Sequence, residues 1–214
     1  MSAQLTVLLV DDHAVVREGY KRLLEESGRI SLVAEASTAA QAYQRFRELS
    51  PDVVIMDIAL PGVSGIEAMH RIRAHRTSAI VLIFSMYEDA IFVRRAIEAG
   101  AAGYITKASA PRVLVEAVAA VASGRRFLSP DVAQTLALQQ TNAQRSFPDA
   151  LSAREFEILK LLVDGCTLAE VAQQLGLTTK TISNHQSSIK QKLRAETPGQ
   201  LMRAAMRLGL LPTP

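Results

Sequence analysis

Acidic, hydroxyl and basic side chains recur at equivalent places in the first half of the sequence, each at the end of a short apolar run or directly after one. They are Asp11, Asp12, Asp57, Ser85 and Lys107. If the runs are parallel strands, their carboxyl ends open onto one crevice, which is where open α/β sheets bind ligands. The sequence therefore predicts that these five side chains converge.

Three clustered carboxylates repel one another unless a cation lies among them. Mg²⁺ prefers oxygen ligands and binds through a few carboxylates together with phosphate oxygens, so the cluster predicts a Mg²⁺ site for phosphoryl chemistry. Asp57 is the expected nucleophile and would form an aspartyl phosphate. Ser85 would donate a hydrogen bond to the phosphoryl oxygens, and the Lys107 ammonium would offset their charge.

Each of these residues alone has an ordinary structural explanation. An Asp that follows a strand commonly caps a turn or a helix, and Asp12 before the first helical segment fits an N-cap. The joint pattern across four strand ends is much harder to obtain by chance. The functional interpretation is therefore favoured for the set.

The elements that must position these residues follow a regular rhythm of apolar run, loop and helical periodicity, which predicts βα units and a parallel sheet. The predicted strands cover residues 6–10, 32–36, 53–56, 80–85 and 103–106. The predicted helices cover residues 14–27, 39–49, 65–75, 89–99 and 112–123. An α/β domain is thus expected over residues 1–124.

The second half of the sequence changes character. Residues 125–147 are rich in Gln, Ser, Asn and Ala, with one short helical possibility at 132–138, and are predicted to be a linker. An all-α domain of four helices is expected over residues 148–214, with helices at 153–164, 168–175, 179–194 and 199–208. The second and third of these, joined by a turn at Gly176, have the helix-turn-helix layout.

The long helix of this layout has two different sides. Ile182, Ile189 and Leu193 form an apolar stripe, and the opposite side is polar and basic, with Lys180, Ser183, Asn184, Ser187 and Lys190. Such a side can enter a major groove, where Asn bonds adenine and lysines neutralise phosphates. An ordinary amphipathic helix with a solvated outer side explains the pattern equally well.

Composition limits the remaining possibilities. The chain has 214 residues, of which 49% are hydrophobic, so it can bury one or two cores. Its single cysteine, Cys166, excludes an internal disulfide framework and fits a cytoplasmic location. The N-terminal apolar run meets two aspartates after a few residues, so neither a signal peptide nor a membrane span is expected there.

Four segments, VLLVDDHAVVREG, DVVIMDIALPGVSGIEA, VLIFSMYED and AGAAGYITK, resemble the receiver domain of bacterial two-component response regulators. The resemblance implies a flavodoxin-like (βα)5 fold with strand order 2-1-3-4-5. It also implies transfer of a phosphoryl group from the phosphohistidine of a sensor histidine kinase to Asp57. Many receivers have Pro where Ala108 follows Lys107, so the geometry of that peptide bond stays open.

The receiver resemblance also implies roles for single residues. Asp12 and Asp57 would ligate Mg²⁺ directly, the backbone carbonyl of Ala59 would complete the protein ligands, and Asp11 would act through water. Ser85 and Tyr104 match the switch hydroxyl and the switch aromatic. Both would shift inward on phosphorylation.

The segment LSAREFEILKLLVDGCTLAEVAQQLGLTTKTISNHQSSIKQKLRAET resembles the LuxR-type domain of NarL/FixJ response regulators. The resemblance implies that Thr179 begins the recognition helix and that Lys180 and Thr181 bind phosphates. It implies further that Ser183, Asn184 and Ser187 face bases. The last helix, with Leu201, Ala205 and Leu208 on one side, would close the core and pair two domains into a homodimer on double-stranded DNA.

The expected function is that of a transcriptional regulator whose phosphorylation on Asp57 favours dimerisation and frees the recognition helix, with no enzymatic activity beyond its own phosphorylation. Two alternatives stay open. One is an enzyme that uses the same acids on a small phosphoester, although Ala59 stands where a second carboxylate would be needed and no GxxxxGK[ST] loop occurs. The other is a DNA-binding protein that does not depend on phosphorylation.

Overall fold

The computed structural model describes residues 4–109, 111–140, 151–207 and 210 of the chain. Contacts divide the chain into two compact units, Met1–Gln139 and Gln140–Pro214. The peptide bonds of the described residues are trans, including the one between Lys107 and Ala108.

The first unit is a parallel sheet flanked by helices. Its strands are β1 (Leu5–Val10), β2 (Ile30–Ala36), β3 (Val53–Met56), β4 (Val81–Ser85), β5 (Gly103–Thr106) and β6 (Phe127–Leu128). Its helices are α1 (Ala14–Glu26), α2 (Ala39–Leu49), α3 (Gly65–His75), α4 (Ala90–Glu98), α5 (Pro111–Ala122) and α6 (Pro130–Gln140). The strand order is β2-β1-β3-β4-β5-β6, which confirms the predicted α/β fold and extends the expected order by one strand.

The central strands read as continuous apolar runs because helices cover both faces of the sheet. Every residue of β3 and β4 is buried. On one face, Val7 and Ile55 pack in a cluster with Leu114 and Val118 of α5. This packing holds the strand ends, and with them the acidic residues, in fixed positions.

The structure differs from the predicted linker at its N-terminal part. β6 pairs in parallel with β5, with Phe127 opposite Gly103. α6 follows it and contains the one short helical possibility predicted at 132–138. A two-residue strand gives almost no periodic signal in a sequence, which explains why it was not predicted. The close approach of β6 to β5 depends on Gly103, because a Cβ at this position would lie 2.5 Å from the Phe127 carbonyl oxygen. Residues 141–147 of the predicted linker lie outside the described residues.

The described part of the second unit contains four helices, α7 (Ala153–Val163), α8 (Leu168–Gln174), α9 (Thr179–Leu193) and α10 (Pro198–Arg207). They agree with the four predicted helices to within about two residues at each end. Capping boxes begin α7 and α8, and Thr178 caps α9. Gly176 adopts a φ of 59° in the turn between α8 and α9, a conformation that favours glycine.

Phe156 and Leu159 of α7 lie in the core of this unit with Ile182 and Ile189 of α9. The predicted apolar stripe of α9 is therefore its buried side. Within the described ranges of the chain, no helix combines the length and the apolar character needed to cross a membrane.

Candidate functional site

The carboxyl ends of β1, β3, β4 and β5 carry four of the five polar residues that the sequence singled out, and Asp12 follows Asp11. Ser85 ends β4, while Asp11, Asp57 and Lys107 each follow a strand directly. Ligand atoms of Asp11, Asp12, His13 and Asp57 all lie within 4.8 Å of one another. The structure thus brings the three carboxylates to one place.

Lys107 is the cation of this cluster. Its Nζ lies 2.6 Å from Asp57 Oδ2 and 2.5 Å from Asp11 Oδ2. Asp11 and Asp57 are only 1% and 2% exposed, so solvent screens these pairs little. Because the ends of β1 and β3 fix the two carboxylates, the Lys107 ammonium is held between Asp11 and Asp57.

Burial and charge act in opposite directions on these groups. Burial raises the pKa of Asp57 above its ordinary value, and the attraction of Lys107 offsets this only in part. Burial alone would lower the pKa of Lys107, but the Asp57 and Asp11 carboxylates outweigh it and leave the pKa raised. Lys107 is therefore charged at neutral pH.

The donor set fits a hard divalent cation. When ionised, three carboxylates opposite one ammonium leave two net negative charges. Asp11 Oδ2 and Asp12 Oδ1 are buried and accept no hydrogen bond of acceptable geometry, although they lie 2.5 and 2.7 Å from Lys107 Nζ and His13 Nδ1. Oxygen atoms with spare lone pairs and this net charge suit Mg²⁺. His13 was not predicted as part of the site, and its exposed imidazole is a poor ligand for that ion.

The backbone after β3 also takes part. Asp57 Oδ1 accepts a hydrogen bond of 3.3 Å from the Ala59 amide, which orients the carboxylate. The predicted metal contact of the Ala59 carbonyl stays a prediction.

Ser85 and Tyr104 lie beside the cluster and are fully buried. Ser85 Oγ accepts a 3.3 Å hydrogen bond from the Tyr87 amide, and the Tyr104 hydroxyl donates a 2.7 Å hydrogen bond to the Tyr87 carbonyl. Burial holds the pKa of Tyr104 far above its ordinary value, so the phenol remains a neutral donor. Tyr104 thus lies in an inward position, where the Tyr87 carbonyl satisfies its hydroxyl, and the expected shift of Ser85 and Tyr104 on phosphorylation stays a prediction.

Gly65 is a site residue that the sequence reasoning missed. It is the first residue of α3, and a Cβ there would lie 1.8 Å from the carbonyl oxygen of Asp57. The Gly65 amide also donates a 2.8 Å hydrogen bond to the Ile58 carbonyl. A glycine directly after a Ser N-cap was the available signal, and it indicates close backbone approach.

Asp131 was missed as well, because it falls in the predicted linker. Thr106 donates a hydrogen bond of 2.5 Å to Asp131 Oδ2, and Ser109 donates one of 3.1 Å to Asp131 Oδ1. Burial tends to raise the pKa of Asp131, but these hydroxyl groups outweigh it and lower the pKa. The cluster attaches α6 to the residues on either side of Lys107.

The predicted DNA-contacting residues of α9 lie on its exposed side or at its edge. The exposed residues are Thr179, Lys180, Ser183, Asn184 and Ser187, and the half-buried ones are Thr181 and Lys190. Thr181 lies 2.9 Å from the hydroxyl of Thr178 in the N-cap. Ser187 donates its hydroxyl hydrogen to the Ser183 carbonyl at 3.0 Å. The Ser187 hydroxyl oxygen can therefore accept a hydrogen bond from a bound molecule.

Two of the residues predicted on the apolar side of α10 close the core of the second unit, as expected. Leu201 and Ala205 are only 8% and 0% exposed, and the predicted pairing of two domains through this helix stays a prediction. The helix must cover α7 and α9, and its apolar side is used for that purpose. Leu208, the third residue predicted at a dimer surface, lies outside the described residues.

Comparison with known proteins agrees with this geometry. Residues 7–119 match the family model described as the response regulator receiver domain. Residues 149–205 match the model described as bacterial regulatory proteins, luxR family. Response regulator UvrY of Escherichia coli (strain K12) is 34% identical over 208 residues, which cover 96% of this chain and 95% of UvrY. The chain belongs to the NarL/FixJ family of response regulators.

Solved structures share the fold over part of the chain or over nearly all of it. A LuxR-family two-component response regulator from Aurantimonas sp. SI85-9A1 has a TM-score of 0.64 and 47% identity, and the match covers 65% of this chain and 99% of that chain. RcsB from Salmonella enterica serovar Typhimurium, bound to a promoter in the presence of the phosphomimetic BeF3−, has a TM-score of 0.62 and 25% identity. That match covers 96% of this chain and 100% of RcsB. The response regulator therefore combines a receiver with a LuxR-type DNA-binding domain.

Proposed function

We propose that this response regulator takes a phosphoryl group onto Asp57 from the phosphohistidine of a sensor histidine kinase, and that this modification controls its binding to operator DNA. The observation that carries the proposal is the pair of short contacts from Lys107 to Asp57 and Asp11 at a buried strand edge. A buried ammonium already in place supplies the charge that an incoming phosphoryl group needs.

In the proposed step, an Asp57 carboxylate oxygen forms a bond to phosphorus while the bond from phosphorus to the kinase imidazole breaks. The electron pair of that bond stays on the imidazole nitrogen, which takes up a proton. Lys107 turns from the Asp57 carboxylate to the phosphoryl oxygens, and the Ser85 hydroxyl donates to another of them. Both groups lie at strand ends, so little reorganisation is needed.

Mg²⁺ would be held by Asp12, Asp57 and the Ala59 carbonyl, with Asp11 acting through water, and when bound it neutralises the phosphoryl oxygens. Asp11 Oδ2 and Asp12 Oδ1 support this assignment, since they are buried without a well-formed hydrogen bond.

The DNA-binding part of the proposal rests on α9. Ser183, Asn184 and Ser187 would contact bases from its exposed side, while Thr179, Lys180, Thr181 and Lys190 would contact phosphates. RcsB, whose fold this chain shares, is bound to a promoter in the presence of a phosphomimetic. By analogy, the phosphorylated regulator binds as a homodimer, which doubles the groove contacts. Access to the chromosome and the single cysteine support a cytoplasmic location.

We also propose that the receiver does not sustain turnover of a small phosphoester, and Ala59, which stands where a second carboxylate would be needed beside Asp57, supports this. The receiver would act only in its own phosphorylation.

A labelling experiment tests the proposal. The full chain is incubated with a labelled acyl phosphate and Mg²⁺, and covalent label is measured after denaturation. We expect stoichiometric label on the wild type, none on Asp57→Asn, and none when Mg²⁺ is chelated. Asp52→Asn is the matched control, because Asp52 is an aspartate of the same unit that binds Thr6 instead. Equal labelling of Asp57→Asn and Asp52→Asn would refute the proposal.

A further inference from the structure

A buried carboxylate in the second unit has no part in the function proposed so far. Glu155 lies in the first turn of α7 and is 4% exposed. Its Oε2 accepts a 2.6 Å hydrogen bond from the Ser152 amide, which closes the capping box of α7. A cap alone would use one oxygen, but both oxygens of Glu155 have partners.

The other partners of Glu155 come from α9. Ser188 donates its hydroxyl to Glu155 Oε1 at 2.7 Å, and Lys192 Nζ lies 2.7 Å from Glu155 Oε2. Ser188 and Lys192 are four residues apart, so they lie on one side of the helix in successive turns. The start of α7 therefore contacts two turns of α9 through one carboxylate.

These contacts lie between the buried and the exposed sides of α9. At 100° per residue, Ser188 is about 100° from the buried Ile189 and about 40° from the exposed Asn184. Apolar packing at Ile182 and Ile189 resists separation of the helices but tolerates small rotations, whereas charge-assisted hydrogen bonds are directional. The Glu155 contacts are thus placed to set the direction in which Asn184 points.

The contacts also change the charge that α9 presents. Among the described residues, Lys192 is the lysine of α9 that has an ion pair, while Lys180 and Lys190 have none. Burial tends to raise the pKa of Glu155, but Lys192, Ser188 and the cap of α7 outweigh it and lower the pKa to about 2. The carboxylate is therefore ionised at neutral pH and retains the Lys192 ammonium.

We infer that Glu155 is a positioning residue for DNA recognition, which fixes the rotation of α9 and holds Lys192 away from the DNA phosphates. The inference rests on the proposed insertion of α9 into DNA. It assigns different roles to two lysines of the same helix, because Lys180 neutralises a phosphate and Lys192 does not.

The salt dependence of DNA binding distinguishes these roles. Each phosphate that a lysine neutralises contributes about 0.9 to the slope of log affinity against log salt. The full chain is measured on a short random-sequence duplex, with and without an acyl phosphate. We expect Lys180→Gln to reduce the slope by about 0.9 per protomer, and Lys192→Gln to leave it unchanged. Equal reductions for the two variants would overturn the inference.

Glu155→Gln tests the positioning role. A Gln at this position still closes the capping box but no longer retains Lys192. We expect the slope on random DNA to become steeper by about 0.9, and Glu155→Gln/Lys192→Gln to return it to the wild-type value. We also expect the preference for a duplex selected in vitro by the wild type to fall by about tenfold, as for one mismatched base pair.

Retention of both the wild-type slope and the wild-type preference by Glu155→Gln would overturn the inference. If the wild type bound neither duplex, the proposed function would fail and the inference with it. Equal slopes for Lys180→Gln and Lys192→Gln, in a chain that binds DNA, would overturn the inference alone. The Lys192 side chain is 38% exposed and lies outside the core, so Lys192→Gln remains a valid test even if Glu155→Gln does not fold.

Discussion

Gly65→Ala tests how the backbone around the proposed phosphorylation site is packed. The added Cβ would lie 1.8 Å from the Asp57 carbonyl oxygen and 2.8 Å from its carbon. Since real Cβ atoms essentially never come within 3.0 Å of such atoms, the backbone must retreat by about 1.2 Å. Both contacts are with backbone, so no rotamer change relieves them.

Two opposing contributions set how much this backbone displacement lowers the free energy of unfolding. Overpacking of a close-packed interior costs about 1–3 kcal/mol, and backbone contacts place Gly65→Ala at the upper end of that range. Replacing a helical Gly by Ala gains about 0.5–1 kcal/mol. The expected net loss in the free energy of unfolding is therefore about 2 kcal/mol. Labelling of Asp57 should fall as well, because its own carbonyl must move.

Gly19→Ala is the matched control, since Gly19 lies in α1 and a Cβ there meets nothing within 4 Å. We expect this variant to gain about 0.5–1 kcal/mol. Urea unfolding of the full chain, followed by tyrosine fluorescence, reports the first unit alone, because all four tyrosines lie in it. If Gly65→Ala were as stable as Gly19→Ala, the close approach of α3 to Asp57 would be refuted.

Three other variants test the remaining parts of the two units. Gly103→Ala should detach β6 and speed amide exchange at Phe127, because its Cβ would lie 2.5 Å from the Phe127 carbonyl oxygen; unchanged exchange would contradict this. Asp131→Ala should cost the first unit about 1–2 kcal/mol, because it removes the charged acceptor of the Thr106 and Ser109 hydroxyls and leaves these two only each other; urea unfolding measures this cost, and a loss below about 0.5 kcal/mol would contradict it. Because the pKa of Glu155 is lowered from 4.5 to about 2, its contribution to stability is present above pH 4.5 and is lost as pH falls towards 2. Glu155→Gln should remove that part of the acid unfolding followed by circular dichroism, and an unaltered acid profile would contradict the assigned contacts.

The sequence was most informative where a residue's place along a strand decides its position in space. Asp11, Asp57, Ser85 and Lys107 could be placed together because parallel strands end at one edge of the sheet. Helices with clear apolar periodicity, such as α9, were located from that periodicity.

Features that depend on distant contacts could not be predicted. β6 has two residues and exists because Gly103 lets Phe127 approach β5. Whether Leu201 faces the core or a partner depends on where α10 packs, and both answers give the same periodicity. The inward position of Tyr104 depends on the Tyr87 carbonyl, which belongs to a loop with no regular pattern.

Glu155 shows a different limit. A Glu three residues after Ser152 predicts a capping box, which the structure has. The same pattern gives no sign that Ser188 and Lys192, more than thirty residues later, share the carboxylate. The capping role of Glu155 is enough to explain the sequence pattern, so its second role, in contacts with distant residues, could not be predicted.

The central claim is that the phosphoryl group on Asp57 controls DNA binding. The most direct measurement is the affinity of the full chain for its selected duplex, with and without the acyl phosphate, for wild type and Asp57→Asn. Coupling between two sites is typically about 5- to 150-fold, so wild-type affinity should rise within that range while Asp57→Asn shows no change. An equal response of the two proteins, or no response of a fully labelled wild type, would contradict the account.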